Sequence, residues 1–241
     1  AIVGYADLLC SEELSLVQRN MMKVVQSSSE TLLELINDIL DFSRIESGKL
    51  SLEKVPFDLA AILYQVSEQA LAKLDDKDID LHVDIDEKFD STLLGDPTRL
   101  KQFIINLVSN AVKFTQCGEI ITSLEVLEQC DERINLKIAV RDSGIGITEK
   151  HLVKIFEDFN QADGSSTRKF GGIGLGLNLT RKLLVLMDSG IAVKSTLGQG
   201  TEFSFVISMK KDLDAERRAV ELAEFKGKRL LLIDDNKTTE R

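Results

Sequence analysis

The chain has 241 residues, 43% of them apolar and 29% charged, with 40 acidic side chains against 30 basic ones and a formal net charge of −10. That balance argues against a nucleic-acid partner, which needs a basic face to displace counterions. A small phosphate ligand needs positive potential only locally. With two prolines and no low-complexity run, the chain reads as folded, with room for one large unit and one smaller one.

In chain order, Ile2, Tyr5, Leu8 and Leu9 recur at helical spacing as the last turns of a first helix. Ser15 with Gln18 forms a capping box for a second helix, and Gly48 stands where that helix stops. Its apolar positions run Met21, Val25, Leu32, Leu35, Ile39 and Phe42, with a further stripe at Leu33, Ile36 and Leu40. One helix with two stripes needs two neighbours. So short a hairpin covers one, so a second copy and a homodimeric four-helix bundle are expected. The alternative is packing on the chain's own globular part.

After Gly48 short strands and helices alternate. Leu50 to Val55 reads as a strand, Asp58 to Lys73 as a helix, and Ile79, Leu81, Val83 and Ile85 as the inward face of a half-buried strand. Asp96-Pro97 opens a helix as cap and first-turn proline. Strands follow near Ile120 to Leu127 and Ile134 to Arg141, then a helix near Glu149 to Phe156 and a mobile loop from Glu157 to Gly172. A helix near Leu175 to Met187 and a hairpin through Leu197 to Gly200 end the unit. The strands outnumber the crossovers of a doubly wound sheet, so the fold class expected is α+β: a two-layer sandwich, with helices on one face of a mixed sheet, behind a helical hairpin. Lys210 to Lys228 reads as a charged, mostly helical linker, and Arg229 to Asn236 as a buried strand ending in Asp234 and Asp235. The division is thus 1–48, 49–209, 210–228 and 229–241.

Three segments carry chemistry. On the Asp96 helix, Asn106, Asn110 and Lys113 share a stripe beside the apolar face of Leu100, Phe103, Ile104, Leu107, Val108 and Ala111. Such a stripe is either a solvated shoulder or a set of hard oxygens and an ammonium suited to Mg²⁺ and phosphate. Asp142 follows an apolar strand and precedes Gly144 and Gly146. It is either an ordinary turn residue or a carboxylate placed to accept from an exocyclic amine. Gly172, Gly174 and Gly176 alternate at a helix start, where free N–H groups face an anion. They fit neither the P-loop nor the dinucleotide pattern, Leu179 standing where the latter needs its last glycine.

His82 and His151 lie on polar faces and read as surface residues. Cys10, Cys117 and Cys130 show no metal or disulfide spacing, and no apolar run reaches the roughly 20 residues of a membrane span. The reading is a cytoplasmic chain whose two ends both look cut, with no nucleic-acid or membrane contact of its own.

Together these segments resemble the catalytic and ATP-binding domain of sensor histidine kinases. Asp96 to Thr115 (DPTRLKQFIINLVSNAVKFT) is similar to the N box, Asp142 to Gly146 to the G1 box, Phe156 to Phe159 to the F box and Gly172 to Gly176 to the G2 box. Leu32 to Leu50 and Ala1 to Leu9 resemble the dimerisation and phosphoacceptor hairpin, and Arg229 to Asn236 the first strand of a receiver domain. The resemblance is to a hybrid sensor kinase of a two-component system.

It implies ATP and Mg²⁺ as ligands. Asn110 corresponds to a Mg²⁺ ligand, Asn106 and Lys113 to metal or phosphate contacts, Phe114 to an adenine neighbour, Asp142 to the acceptor of the adenine amine, and Thr201 to its support. Gly144, Gly146, Ile147, Phe159, Gly172, Gly174, Leu175 and Gly176 belong to the same ATP-binding set, and Arg168 and Lys169 lie on the lid. Asp234 and Asp235 would hold Mg²⁺ only in a complete receiver domain.

The acceptor histidine falls upstream of Ala1, so this stretch is expected to bind ATP without phosphorylating itself. Its partners would be a second copy and a receiver domain or response regulator, in a parent that the resemblance allows to be membrane-anchored. Ile173 stands where the family commonly has a small hydroxyl residue, and Asp188-Ser189 where it has a glycine pair. Two other readings stay open: an ATP-hydrolysing relative of the gyrase and heat-shock ATPases, in which Asn106 would have to be a Glu, and a dimeric scaffold whose nucleotide site has decayed.

Overall fold

The structure is a computed structural model that describes residues 2–10, 14–74, 77–152, 154–156 and 176–212. Helix α1 (Ile2–Cys10) packs on α2 (Leu16–Glu46). Helix α2 starts as its sequence dictates: Ser15 Oγ accepts from the Gln18 N–H and Gln18 Oε1 accepts from the Ser15 N–H at 3.0 Å. It stops at Gly48, whose φ of +64° suits glycine. Neither apolar stripe is covered within one chain, Leu32 and Ile39 being more than half exposed. Only the last turns of α2 dock on the rest of the chain, with Ile45 against its core.

The remaining described elements are β1 (Val55–Phe57), α3 (Leu59–Leu71), β2 (Asp78–Ile85), β3 (Leu93–Gly95), α4 (Pro97–Phe114), β4 (Cys117–Gln129), β5 (Arg133–Asp142), α5 (Glu149–Leu152), α6 (Gly176–Leu186), β6 (Ile191–Thr196) and β7 (Gly200–Lys211). Seven described strands form one sheet in the order β1-β3-β7-β5-β4-β2, with β6 also paired to β7. The β2–β4 pair is parallel and the others are antiparallel, so the sheet is mixed as expected.

Period-two alternation on β7 buries Phe203, Phe205, Ile207 and Met209 and leaves Val206 and Ser208 in solvent. Helix α4 meets the inward side: its stripe of Leu100, Phe103, Ile104, Leu107, Val108 and Ala111 is almost fully buried, and Phe103 meets Phe205 edge-to-face with centroids 6.2 Å apart. Both ends of α4 are tied. The Asp96 carboxylate accepts from the Arg99 N–H and, with its other oxygen, from the Glu53 N–H. At the far end the Lys77 ammonium donates to the carbonyls of Val112 and Thr115.

Several expectations shift. The first strand is not Leu50 to Val55 but Val55–Phe57, because the Glu53 N–H goes to the Asp96 carboxylate and so is withheld from a ladder. The three-residue β3 was too short to announce itself by periodicity. Helix α5 ends at Leu152, short of Phe156. Lys210 and Lys211, read as linker, continue β7, Lys210 pairing with Arg133 and Lys211 with Leu93. His82 and His151 are half-buried rather than surface residues.

Candidate functional site

Asn106, Asn110 and Lys113 lie half-buried beside the buried face of α4, as positions i, i+4 and i+7 must. Asn110 Nδ2 donates to Asn106 Oδ1 at 3.4 Å, and Asn106 Nδ2 donates to Thr180 Oγ1 on α6 at 2.9 Å. The Lys113 ammonium sits 5.0 Å from the centre of the Phe114 ring. Burial lowers its pKa from the ordinary lysine value, so an anion alongside would restore its hold on the proton.

Asp142 ends β5 opposite Thr201 of β7 and is 8% exposed. Its Oδ1 accepts from the Gly144 N–H at 2.9 Å, and the Thr201 backbone N–H also bonds the carboxylate. Burial raises its pKa from the usual carboxylate value, and these two N–H groups pull it part of the way back.

The turn after Asp142 demands glycine by close approach. A Cβ on Gly144 would stand 2.6 Å from the Phe114 carbonyl oxygen, to which the Ile145 N–H donates at 3.3 Å. The end of α4 is thereby stitched to the carboxylate's turn. Gly200, at φ +99°, has no room for a side chain against the Asp142 carbonyl. Ser195 on β6 closes the circle: its Oγ accepts from the Ile147 N–H at 2.7 Å, donates to the Gly200 carbonyl at 3.0 Å and shares a hydrogen bond with Thr201 Oγ1 at 2.9 Å.

Gly176 opens α6 directly against Asn106, whose amide would collide with a Cβ there. The fold thus brings Asn106, Asn110, Lys113, Phe114, Asp142, Gly144, Gly146, Ile147, Gly176 and Thr201 into one linked region. Phe159, Arg168, Lys169, Gly172, Ile173, Gly174, Leu175, Asp234 and Asp235 lie outside the described residues. Thr180 and Ser195 were not picked out in the sequence, since a lone hydroxyl on a helix or strand carries no pattern. Asp188, where a glycine is usual, adopts φ +54° at the end of α6.

The region coincides with a known domain. The family described as "Histidine kinase-, DNA gyrase B-, and HSP90-like ATPase" matches residues 95–211, and the His Kinase A (phospho-acceptor) domain matches residues 1–48. The two matches together take in more than half of the chain. The chain belongs to the sensor histidine kinases. It is 39% identical over 216 residues to hybrid signal transduction histidine kinase L of Dictyostelium discoideum, which takes in 89% of this chain and 13% of that protein. It is 36% identical over 235 residues to the histidine-protein kinase BarA of Escherichia coli, 98% of this chain and 26% of that one. The chain therefore spans about a quarter or less of these relatives' length.

Among solved structures, full-length ShkA in complex with AMPPNP aligns with a TM-score of 0.68 at 31% identity, over 88% of this chain and 43% of that one. The Acinetobacter baumannii histidine kinase AdeS shares the fold, with a TM-score of 0.62 at 24% identity over 86% of this chain and 91% of that one. No helix among the described residues of this histidine kinase is long and apolar enough to cross a membrane.

Proposed function

We propose that the linked region binds ATP with Mg²⁺ and that, in a whole protein, the ATP γ-phosphoryl passes to a histidine on the dimerisation hairpin and then to a receiver aspartate. The observation that carries this reading is the Asp142 carboxylate, buried at a strand end and held by two backbone N–H groups with Gly144 pressed against the end of α4. A carboxylate so fixed accepts from an exocyclic amine without reorganising. The ligand in the ShkA structure supports an adenine nucleotide as occupant.

The donor set fits the metal. Asn110 spends its N–H on Asn106, which turns the amide's hard oxygen to the other side. No group of three or more His, Cys, Asp or Glu side chains among the described residues offers another seat. When bound, Mg²⁺ neutralises phosphate charge and holds the chain of phosphates in one geometry. Asn106 and Asn110 would present the oxygens, Lys113 would add a positive charge, and Asp142 would anchor the base far enough away to aim the phosphate end.

Transfer is favoured over hydrolysis because an Asn106 amide cannot take a proton from water as a carboxylate does. The same residue is already bonded to Thr180. The bare stripes of α2 at Leu32, Leu33, Ile36, Ile39 and Leu40 suit a second copy of the hairpin.

Titrating the chain with a non-hydrolysable ATP analogue, with and without Mg²⁺, tests the reading. Saturation that Asp142→Ala removes is expected. No binding at millimolar analogue would sink it and leave a scaffold.

A further inference from the structure

Helix α6 places two residues of one face, Gly176 and Thr180, on the same amide of α4. Gly176 comes so close to Asn106 that an added Cβ would overlap its Oδ1 and stand 3.0 Å from its Cγ and 3.1 Å from its Nδ2. Thr180, 3% exposed, takes the Asn106 Nδ2–H on its hydroxyl at 2.9 Å. The Asn106 Oδ1 then receives the Asn110 Nδ2–H at 3.4 Å.

We infer that Thr180 is a positioning residue that sets which end of each amide faces the metal, through a relay from its hydroxyl to Asn106 and on to Asn110. The inference rests on the ATP·Mg²⁺ reading above. An amide side chain is nearly symmetric in shape but opposite in polarity at its two ends, so nothing steric distinguishes its two orientations. A hydroxyl fixed on α6 does. If it is removed, Asn106 is free to turn over and present an N–H to Asn110. Asn110 must then turn as well to offer its oxygen, and the face it shows a cation becomes a pair of N–H donors. A donor repels Mg²⁺ where an oxygen binds it. The glycine at 176 supplies the room for the amide, and the threonine at 180 supplies its direction.

The experiment measures binding of a fluorescent non-hydrolysable ATP analogue as Mg²⁺ is raised, for the wild type, Thr180→Val, Thr180→Ser and Asn110→Ala, with a metal-free arm in EDTA and a thermal melt of each. Losing an outer-shell partner typically weakens metal affinity about tenfold or more. Thr180→Val is therefore expected to raise the Mg²⁺ midpoint by about that factor while leaving metal-free binding within about twofold of the wild type. Thr180→Ser should restore the midpoint, and Thr180→Ala should behave as Thr180→Val if valine prevents folding.

The inference is overturned if Thr180→Val keeps the wild-type midpoint while Asn110→Ala loses it. It is equally overturned if the Val and Ser variants shift alike, or if metal-free binding weakens as much as metal-dependent binding, which would mark a merely structural role. If Asn110→Ala retains the full Mg²⁺ dependence, the metal reading itself fails and the relay with it.

Discussion

Arg99 and Asp41 form a two-bonded ion pair, Nη1 to Oδ2 at 2.5 Å and Nη2 to Oδ1 at 3.0 Å, across 58 positions of sequence. It fastens the end of α2 to the first turn of α4, and so fastens the hairpin to the helix that carries Asn106. Gln102 braces both partners, accepting from Arg99 and donating to Asp41. A second pair, Lys182 with Glu46, lies more in solvent, the Glu46 side chain being 56% exposed, and Lys182 also covers the Phe42 ring at 4.3 Å. Exposed pairs contribute little, whereas breaking a largely buried fork strands a charge.

Asp41→Ala should therefore cost about 2 kcal/mol of stability and Glu46→Gln less than about 0.5 kcal/mol. Urea unfolding of the two variants measures both. Equal losses would show that burial does not rank these pairs.

The Asp142 carboxyl gives nucleotide binding a pH dependence whose sign is fixed. Burial raises its folded-state pKa, so the folded protein holds this proton at pH values where the unfolded chain has released it. The cost of the buried charge is present above the folded pKa and is relieved as pH falls from there through the unfolded value. The ionised form is the one that accepts from the adenine amine. Affinity should thus decline at a higher pH than an ordinary carboxylate would dictate, even as this residue's burden on stability eases. In Asp142→Asn that pH step should vanish and neutral-pH affinity should fall about tenfold, the worth of one charge-assisted bond. Calorimetric titrations from neutral to acidic pH would reveal an unchanged step if the assignment were wrong.

Asp188 sits at φ +54° after α6, a left-handed conformation that costs a residue with a Cβ about 1 kcal/mol relative to glycine. The neighbouring Ser189 N–H bonds the Leu184 carbonyl at 2.8 Å, so the helix end requires this turn. Asp188→Gly should accordingly stabilise the chain by roughly 0.5 to 1 kcal/mol. A melting temperature that falls instead would mean that Asp188 makes up its strain elsewhere.

Thr115 Oγ1 is fully buried and has no hydrogen-bond partner among the described residues. Thr115→Val keeps the shape and removes the orphaned hydroxyl, so a gain of about 1 kcal/mol is expected in chemical denaturation. A loss of similar size would reveal a partner for that hydroxyl.

Much of the site could be read in one dimension because its chemistry is local. Helix α4 announced itself through Asp96-Pro97 and an apolar stripe that leaves Asn106, Asn110 and Lys113 on its shoulder, and Asp142 through the apolar run that it terminates. Where the reading failed, the cause was non-local. Glu53 gives up a strand bond to Asp96, more than forty positions away. Arg99 reveals its role only beside Asp41, and Thr180 only beside Asn106. Three-residue β3 exists because β1 and β7 flank it.

Strand β7 comes last of the described strands in the sequence yet lies inside the sheet, with β5 along one edge and β6 and β3 along the other. Until Thr201 has been synthesised and threaded into place, Asp142 lacks one of its two N–H donors, and β1 and β3 lack their bridge to the other strands. The pocket is therefore a late product of folding, closed by contacts that span some sixty positions from β5 to β7. A nascent chain cannot use nucleotide as a template for its own assembly. Once the sheet has closed, a bound nucleotide acts as a brake on unfolding, slowing escape from the native state while leaving the rate of arrival nearly untouched.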